Sequence, residues 1–339
     1  MSPRARIIHG HALEQLAAMP DASVQMCATS PPYWGLRDYG DKGKPWPDVT
    51  FSPMPGLPPL TIPASTEPLG LESDPWAYVG HLVAIFREVR RVLRDDGVLF
   101  LNLGDSYAGS GKGPAGNLGA KHNERHLEHK TGGVVPEGLK PKDLVGIPWR
   151  AAFALQADGW YLRSDVIWAK PNPMPESVTD RPTKSHEYVF ILAKRARYFW
   201  DQEAVREADS RAPSDNGFAG RQGGSRGLPM SGGEGAAERW EPGAGRNPRT
   251  VWTIPTQPYP GAHFAVWPPA LAERCVKAGS RKGDTVLDPF SGAGTTGMVA
   301  LRLRRQFLGI EQSERYAEMS RRRIEDDAPL FNRPPEADR

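Results

Sequence analysis

The chain has little cysteine, little net charge and no long apolar run. Only two of its 339 residues are cysteines. Cys27 and Cys275 both lie in apolar stretches, so they are predicted to be small buried side chains in a reducing compartment rather than parts of a disulfide framework. The 43 Lys and Arg against 40 Asp and Glu leave a formal charge of +3. Any contact with nucleic acid must therefore come from local patches.

Other absences limit the location and chemistry of the protein. No apolar run approaches the roughly 20 residues of a membrane-spanning helix, and residues 1–6 lack the apolar core of a signal peptide. We therefore expect a cytoplasmic protein with no membrane partner. His122, His126 and His129 have helical spacing, but no cysteine accompanies them, so a solvated polar segment and no metal site are expected.

Glycine and proline, in contrast, are abundant, with 36 and 34 residues. Residues 40–75 hold nine prolines, residues 109–142 hold eight glycines, and residues 203–250 hold ten glycines. None of these segments shows a clear core-forming period, so each is predicted to be a long loop inserted into a regular scaffold. The second segment is locally basic, whereas the third balances seven Arg against seven acidic residues.

Outside these segments, short apolar runs alternate with stretches of helical period, which predicts an α/β fold with a mostly parallel sheet. The predicted strands are Ala5–His9, Val24–Thr29, Gly97–Leu103, Leu162–Ala169, Glu187–Ala193, Thr285–Asp288 and Gln306–Glu311. The predicted helices are Ala12–Ala18, Pro75–Leu93, Leu144–Ala157, Pro268–Ala278, Gly294–Leu303 and Ser313–Asp327.

A glycine turn lies in the run Asp288-Pro-Phe-Ser-Gly-Ala-Gly-Thr-Thr296. It follows a predicted strand and opens a predicted helix, and Gly292 and Gly294 let the backbone approach a ligand without Cβ clashes. Glu311 ends the next strand, at a suitable distance to bind ribose hydroxyls. The turn contains no Lys or Arg, which favours a nucleoside cofactor without phosphates. A tight strand-to-helix turn that binds nothing is the alternative.

The second informative stretch is Ser30-Pro-Pro-Tyr33, which follows the predicted strand Val24–Thr29. The Ser30 hydroxyl and the Pro31 carbonyl can accept the hydrogens of an amine, and proline holds its carbonyl rigidly because its φ is fixed. Such acceptors would stabilise positive charge that develops on the nitrogen. Tyr33 places a flat aromatic face beside these acceptors. Alone, the stretch is also compatible with a proline-stiffened strand exit.

In this order, the two motifs resemble those of the β class of amino-methylating DNA methyltransferases. Val89–Leu103, Trp168–Asn172 with Asp180–Phe190, and His263–Pro268 are similar to further motifs of that class. The resemblance implies a Rossmann-like methyltransferase fold, circularly permuted, with a mostly parallel seven-stranded sheet and helices on both faces. It also implies S-adenosyl-L-methionine as cofactor and double-stranded DNA as substrate. A monomer or homodimer is expected, and a restriction endonuclease is the implied counterpart.

The resemblance also assigns residues and segments to roles. The implied catalytic residues are Ser30, Pro31, Pro32 and Tyr33. The implied cofactor-binding residues are His11, His263, Phe264, Asp288, Pro289, Phe290, Gly292, Gly294, Thr295, Thr296 and Glu311. Arg221, Arg226, Arg246 and Arg249 are the implied DNA contacts. Residues 1–202 would form the catalytic part of one domain, 203–250 a target-recognition insertion, and 251–339 the cofactor-binding part of the same domain.

Two departures from the family pattern bear on this assignment. His11 stands where members often carry an aspartate that contacts adenine, and a neutral histidine could still form that hydrogen bond. Ser30 replaces the Asp or Asn of many members, which favours cytosine-N4 as the target. Adenine-N6 is the alternative, since serine versions also methylate adenine. Two further alternatives are a methyltransferase for RNA, protein or a small molecule, and a non-enzymatic DNA-binding protein with a degenerate pocket.

Overall fold

The computed structural model describes residues 4–35, 43–109, 135–207, 245–257 and 267–327. The strands within these residues are β1 Ala5–His9, β2 Val24–Thr29, β3 Val49–Phe51, β4 Leu60–Ile62, β5 Leu93–Leu103, β6 Tyr161–Ala169, β7 His186–Ala193, β8 Val251–Thr253, β9 Thr285–Asp288 and β10 Gln306–Glu311. The helices are α1 Ala12–Ala17, α2 Pro75–Val92, α3 Ile147–Ala157, α4 Pro269–Gly279, α5 Thr295–Arg302 and α6 Glu314–Asp327.

One sheet contains eight strands in the order β1-β10-β9-β2-β5-β7-β6-β8. Its pairs are parallel except that β7 runs antiparallel to both β5 and β6. The predicted mostly parallel sheet is confirmed, but the predicted number of seven strands is wrong. The eighth strand, Val251–Thr253, pairs with the end of β6. Three residues are too few to produce a readable alternation, and their pairing depends on β6 rather than on local sequence.

The segment 40–75, predicted to be a loop, contains secondary structure where it is described. Its strands β3 and β4 form an antiparallel hairpin, in which Val49, Phe51 and Ile62 are buried. The hairpin packs on α2, where a Cβ at Gly80 would come within 2.9 Å of Ile62 Cγ1. Two features of the sequence hid these strands. The segment is rich in proline, and each strand has only three residues, which is too short for a readable alternation.

Helices cover both faces of the sheet, as the resemblance implied. Along β2, Cys27 belongs to a core shared with α1, α2, α3 and the hairpin. Its neighbours Met26 and Ala28 belong to a second core, shared with α4, α5 and α6. This alternation follows from the two-residue period of a strand. Cys27 and Cys275 are both fully buried, and burial raises the pKa of both thiols, so the prediction that they are core residues is confirmed.

The adjacent strands β2 and β9 mark the point where the sheet order reverses. From β9 the order continues through β10 and β1 on one side, and from β2 it continues through β5 and β7 on the other. In open α/β sheets, ligands bind outside the carboxyl ends of the strands at such a point. Both sequence motifs begin there. The circular permutation stays a prediction.

Among the helices of the described ranges, none combines the length and the apolar character that a membrane span requires.

Candidate active site

The two sequence motifs are in direct contact at the ends of β2 and β9. The strands pair in register, with Cys27 opposite Leu287. Two residues further along β2, the Thr29 hydroxyl donates a hydrogen bond of 2.6 Å to Asp288 Oδ1. Both side chains are buried, at 0% and 3% exposure. Because Ser30 follows Thr29 directly, the stretch Ser30–Tyr33, which we call the acceptor motif, leaves the sheet beside the glycine turn.

Asp288 is a buried carboxylate that joins three segments. Its other oxygen accepts a hydrogen bond of 2.7 Å from the Thr296 hydroxyl, and the Phe290 amide donates to Oδ1 at 3.1 Å. Burial raises the pKa of Asp288 to about 6, although these hydrogen bonds oppose the shift. The carboxylate therefore fixes the end of β2, the turn and the first turn of α5 in one arrangement.

The glycine turn has the backbone that its sequence predicts. Gly292 and Gly294 have φ values of +51° and +75°, in the left-handed region that favours glycine. A Cβ at Gly294 would also lie 2.5 Å from Ser320 Oγ. Glu311 accepts hydrogen bonds from the backbone amides of Gly292 at 2.7 Å and Ser313 at 3.0 Å. Its carboxylate thus holds the turn against the end of β10.

The other predicted cofactor residues are placed in different ways. Pro289 is buried and Phe290 is half-buried, so the turn has an apolar wall. The Thr295 hydroxyl accepts a hydrogen bond of 2.9 Å from Arg323 Nη1 and, like the Thr296 hydroxyl, bonds within the protein. His263 and Phe264 lie outside the described residues.

His11 precedes the first turn of α1 and is only 4% exposed. Its ring meets Trp46 edge-on, with centroids 4.6 Å apart, and Trp46 stacks on His81 at 4.1 Å. Within the described part of the chain, the buried His11 Nδ1 has no hydrogen-bond partner. Burial is the main reason that the pKa of His11 is lowered. The ring is therefore a neutral group with an unused polar atom.

The acceptor motif is held by residues that the sequence did not single out. Tyr78 Oη on α2 donates a hydrogen bond of 2.8 Å to the Pro32 carbonyl. Just after the motif, Trp34 Nε1 donates to the Glu72 carbonyl at 2.9 Å. The Glu72 side chain in turn contacts His81 Nδ1 at 2.8 Å, with both side chains fully buried. These contacts fix the backbone on which Ser30 is carried.

Tyr33 lies in a polar cluster, which we define as Tyr33, Asn102, Lys170 and Glu187. Its hydroxyl contacts Glu187 Oε2 at 2.7 Å and Asn102 Oδ1 at 2.9 Å. The Ser30 hydroxyl donates to Tyr33 Oη at 3.3 Å. An added Cβ at Gly104 would lie 2.5 Å from the Tyr33 ring, so the ring rests closely on that backbone.

The rest of the polar cluster is a buried ion pair. Lys170 Nζ contacts Glu187 Oε1, with side chains only 17% and 15% exposed, and the ammonium lies 4.3 Å from the Trp168 ring centroid. Burial alone would raise the pKa of Glu187, but Lys170 and the hydrogen bonds from Tyr33 and Asn102 outweigh it and lower the pKa. Burial together with Glu187 raises the pKa of Tyr33 well above its ordinary value.

Lys170 and Glu187 lie within stretches that resemble motifs of the family, but the sequence assigns them no role at the site. Asn102 interrupts the apolar run of β5, and a polar residue in a buried strand is a usable sign of a site, whereas Glu187 lies in the half-buried start of β7. The sign does not identify the partner, because Glu187 is 154 residues from Tyr33 in sequence.

Only two of the four predicted DNA-contacting arginines lie in the described residues. Arg246 pairs with Glu207 at 3.3 Å, and Arg274 contacts the same carboxylate. Arg249 is exposed and lies two residues before β8. Arg221 and Arg226 lie outside the described residues, as do His122, His126 and His129.

Comparison with known proteins agrees with this geometry. The family model for DNA methylases of the N6 and N4 type matches residues 24–322. The chain belongs to the DNA methylase family. The predicted membership of the DNA amino-methyltransferases is therefore confirmed, as is the Rossmann-like methyltransferase fold.

Relatives of this DNA methylase match over nearly its whole length. The Type II methyltransferase M.SmaI of Serratia marcescens is 44% identical over 319 residues, covering 94% of this chain and 90% of the relative. M.Cfr9I of Citrobacter freundii is 42% identical over 324 residues, covering 95% and 88%.

Solved structures share its fold. TTHA0409 from Thermus thermophilus, in complex with S-adenosyl-L-methionine, has a TM-score of 0.56 at 25% identity, covering 96% of each chain. The PvuII DNA methyltransferase, which is cytosine-N4-specific, has a TM-score of 0.60 at 16% identity, covering 98% of this chain and 92% of the other. The second likeness concerns the fold alone.

Proposed function

We propose that this DNA methylase transfers a methyl group from S-adenosyl-L-methionine to the N4 amine of cytosine within a specific DNA sequence. The observation that carries the proposal is the hydrogen bond of 2.6 Å between Thr29 and Asp288. It joins the acceptor motif to the glycine turn, so a bound cofactor and a target base would share one crevice at the carboxyl ends of β2 and β9.

The residues of the turn fit this cofactor. The left-handed backbone at Gly292 and Gly294 leaves room for close approach, and Glu311 stands at the end of the neighbouring strand. The unpartnered Nδ1 of His11 suits a hydrogen bond with an adenine edge. When bound, S-adenosyl-L-methionine supplies an electrophilic methyl group on a positively charged sulfur. The complex of TTHA0409 with the same molecule supports the choice.

The remaining predicted cofactor residues shape the turn in this proposal. Asp288 and Thr296 connect the two ends of the turn through a hydrogen bond of 2.7 Å. Thr295 is turned toward Arg323, so we assign it to the packing of α5. Pro289 and Phe290 form the apolar wall, and His263 and Phe264 are proposed to contact the cofactor.

The acceptor motif would act on the base. The lone pair of an exocyclic amine is delocalised into the ring, which makes the nitrogen a weak nucleophile. Hydrogen bonds from the amine to the Ser30 hydroxyl and the Pro31 carbonyl would favour a pyramidal nitrogen and stabilise the charge it gains. Pro32 fixes the backbone through Tyr78, and Tyr33 would provide a face for the flipped base. Serine at position 30 favours cytosine over adenine.

DNA contacts would lie beside β8. Arg249 is exposed there and is proposed to bind phosphate, as are Arg221 and Arg226. Arg246 is committed to Glu207, so we propose that it orients this surface. The Type II relatives further support a role in a restriction-modification pair. Methylated DNA is then expected to resist an endonuclease that cuts the same sequence.

The test is to incubate duplex DNA with tritiated cofactor, digest it to nucleosides and identify the product by mass spectrometry. We expect N4-methylcytosine. N6-methyladenine would overturn the choice of base, and transfer to RNA or protein alone would overturn DNA as substrate. Absent cofactor binding would favour the non-enzymatic alternative.

A matched pair of variants tests the motif itself. Ser30→Ala is expected to lower kcat by about 100-fold or more, the order seen when one electrostatic contact to a transition state is lost, while cofactor affinity is retained. Ser23→Ala, the same change before the other end of β2, removes only a hydrogen bond to the Pro20 carbonyl and should leave kcat within twofold (roughly, as for peripheral changes). Equal turnover of both variants would refute the role of Ser30.

A further inference from the structure

The polar cluster of Tyr33, Asn102, Lys170 and Glu187 has a defined direction of hydrogen bonding. Asn102 Nδ2 lies 3.1 Å from Glu187 Oε2 and 3.0 Å from the Tyr188 carbonyl. These two acceptors fix the orientation of the amide, so its oxygen faces Tyr33. The Tyr33 hydroxyl therefore lies between two acceptors, Asn102 Oδ1 and Glu187 Oε2, and has to donate toward them.

This direction passes on to Ser30. Because the single proton of Tyr33 is directed at the cluster, Tyr33 Oη has lone pairs left to accept the Ser30 proton, across 3.3 Å. With its own proton directed at Tyr33, Ser30 Oγ presents lone pairs on its remaining side. The distance is long for two hydroxyls, but catalytic hydrogen bonds are often long until substrate binds.

The charge of Glu187 maintains the direction. A carboxylate offers only acceptors, and the contact with Lys170 keeps Glu187 ionised although it is largely buried. A neutral amide at the same place would offer a donor on one side. The Glu187 carboxylate can therefore only accept hydrogen bonds from Tyr33 and Asn102.

This inference rests on the function proposed above. We propose that Glu187, held ionised by Lys170, is a positioning residue. It orients the hydroxyls of Tyr33 and Ser30 so that Ser30 Oγ accepts, rather than donates, a hydrogen bond at the target amine. A Ser30 proton directed at the amine would oppose an N–H and compete for the nitrogen lone pair that attacks the methyl group. Glu187 acts through Tyr33 and does not touch the base in this assignment.

Glu187→Gln tests the proposal because it keeps the shape and removes the charge. The oxygen of the new amide would turn to Lys170, which needs an acceptor, and the amide nitrogen would then donate to Tyr33 Oη and oppose the Asn102 donor. We expect kcat to fall by about 100-fold with cofactor affinity close to wild type, measured at a temperature at which the variant is folded, because loss of the buried ion pair also lowers thermal stability. The matched controls are Glu273→Gln and Lys277→Met, which break the exposed ion pair of α4 (2.6 Å) and should leave kcat unchanged.

A second change distinguishes orientation from structural support. In Lys170→Met/Glu187→Gln, the amide oxygen is released from the lysine and can turn to accept from Tyr33. In the double variant kcat should be at least about tenfold higher than in Glu187→Gln, which brings it from about a hundredth to about a tenth of the wild-type value. In a Tyr33→Phe background, which leaves the Lys170–Glu187 pair intact, adding Glu187→Gln should cost less than about twofold, since coupled residues are non-additive.

Each result has a definite meaning. Three results would overturn the proposal. The first is a wild-type kcat for Glu187→Gln, and the second is a loss of kcat that the double variant does not recover. The third is a full additional loss of kcat when Glu187→Gln is added to the Tyr33→Phe background. The wild-type protein is assayed first on duplex DNA. No methyl transfer by the wild type would refute the proposed function and with it this inference, whereas an active wild type with an indifferent Glu187 refutes the inference alone.

Discussion

The Thr29 hydroxyl and the Asp288 carboxylate form a buried hydrogen bond of 2.6 Å across 259 residues of sequence. Thr29 is the last residue of β2 and Asp288 the last of β9, so the bond ties together the two strand ends from which the acceptor motif and the glycine turn emerge. A small change in this pair would alter the distance between the two halves of the site. Three predictions test how the halves are held.

Thr29→Val should destabilise the fold by about 1–3 kcal/mol, because an isosteric side chain without a hydroxyl leaves a buried carboxylate with one donor fewer. Urea denaturation measures the change. Thr50→Val is the matched control, since the Thr50 hydroxyl bonds to the Thr61 hydroxyl at 2.8 Å on the exposed face of the β3–β4 hairpin. This variant should lose less than about 0.5 kcal/mol of stability. Equal stability of both variants would contradict the importance of the Thr29–Asp288 bond.

Asp288→Asn should change how stability depends on pH. The folded protein raises the pKa of Asp288 from 3.8 to about 6. A carboxyl with a raised pKa favours the folded state fully below pH 3.8 and loses that contribution as pH rises through 6. The asparagine variant lacks this loss. Its stability relative to wild type should therefore increase between pH 4 and pH 7, by up to about 3 kcal/mol.

Urea denaturation of both proteins at several pH values gives this difference, and the comparison cancels the other titrating groups. Asp74→Asn is the control, since Asp74 is the exposed N-cap of α2 and asparagine caps a helix equally well. A difference for Asp288→Asn that is flat from pH 4 to 7 would show that the carboxyl titrates normally.

Gly294→Ala should be costlier than other glycine substitutions because it combines backbone strain with a clash. Gly294 has φ +75° and its added Cβ would lie 2.5 Å from Ser320 Oγ, whereas Gly283 has φ +87° and open space around it. Gly283→Ala should therefore cost about 1–2 kcal/mol from strain alone. Gly294→Ala should cost at least about 1 kcal/mol more and weaken cofactor binding.

A double-mutant cycle with Ser320→Gly isolates the clash. Removing the serine side chain should recover part of the stability lost in Gly294→Ala, giving a favourable coupling of about 1 kcal/mol, measured by denaturation and by calorimetric titration with cofactor. If Gly294→Ala costs no more than Gly283→Ala, α6 does not approach the turn closely enough to oppose a Cβ at Gly294.

Much of the site followed from local sequence. The glycine turn was expected from Asp288 to Thr296, and the turn is there with left-handed backbone at both glycines. The cofactor role of Thr295 stays a prediction, and nothing in the sequence indicated that its hydroxyl bonds to Arg323. Residue type and spacing predicted the backbone of the turn, but the direction of each side chain depended on what α6 brought beside it.

The sequence by itself determined the two motifs, the order of the helices and the order of the seven strands that have four or more residues, because apolar period, glycine and proline act over a few neighbouring residues. Tertiary structure alone decided that Thr29 meets Asp288, that Val251–Thr253 joins the sheet, and that Glu187 and Lys170 lie next to Tyr33. Those contacts depend on which strands lie side by side, and strand pairing is a property of the whole sheet that no local pattern records.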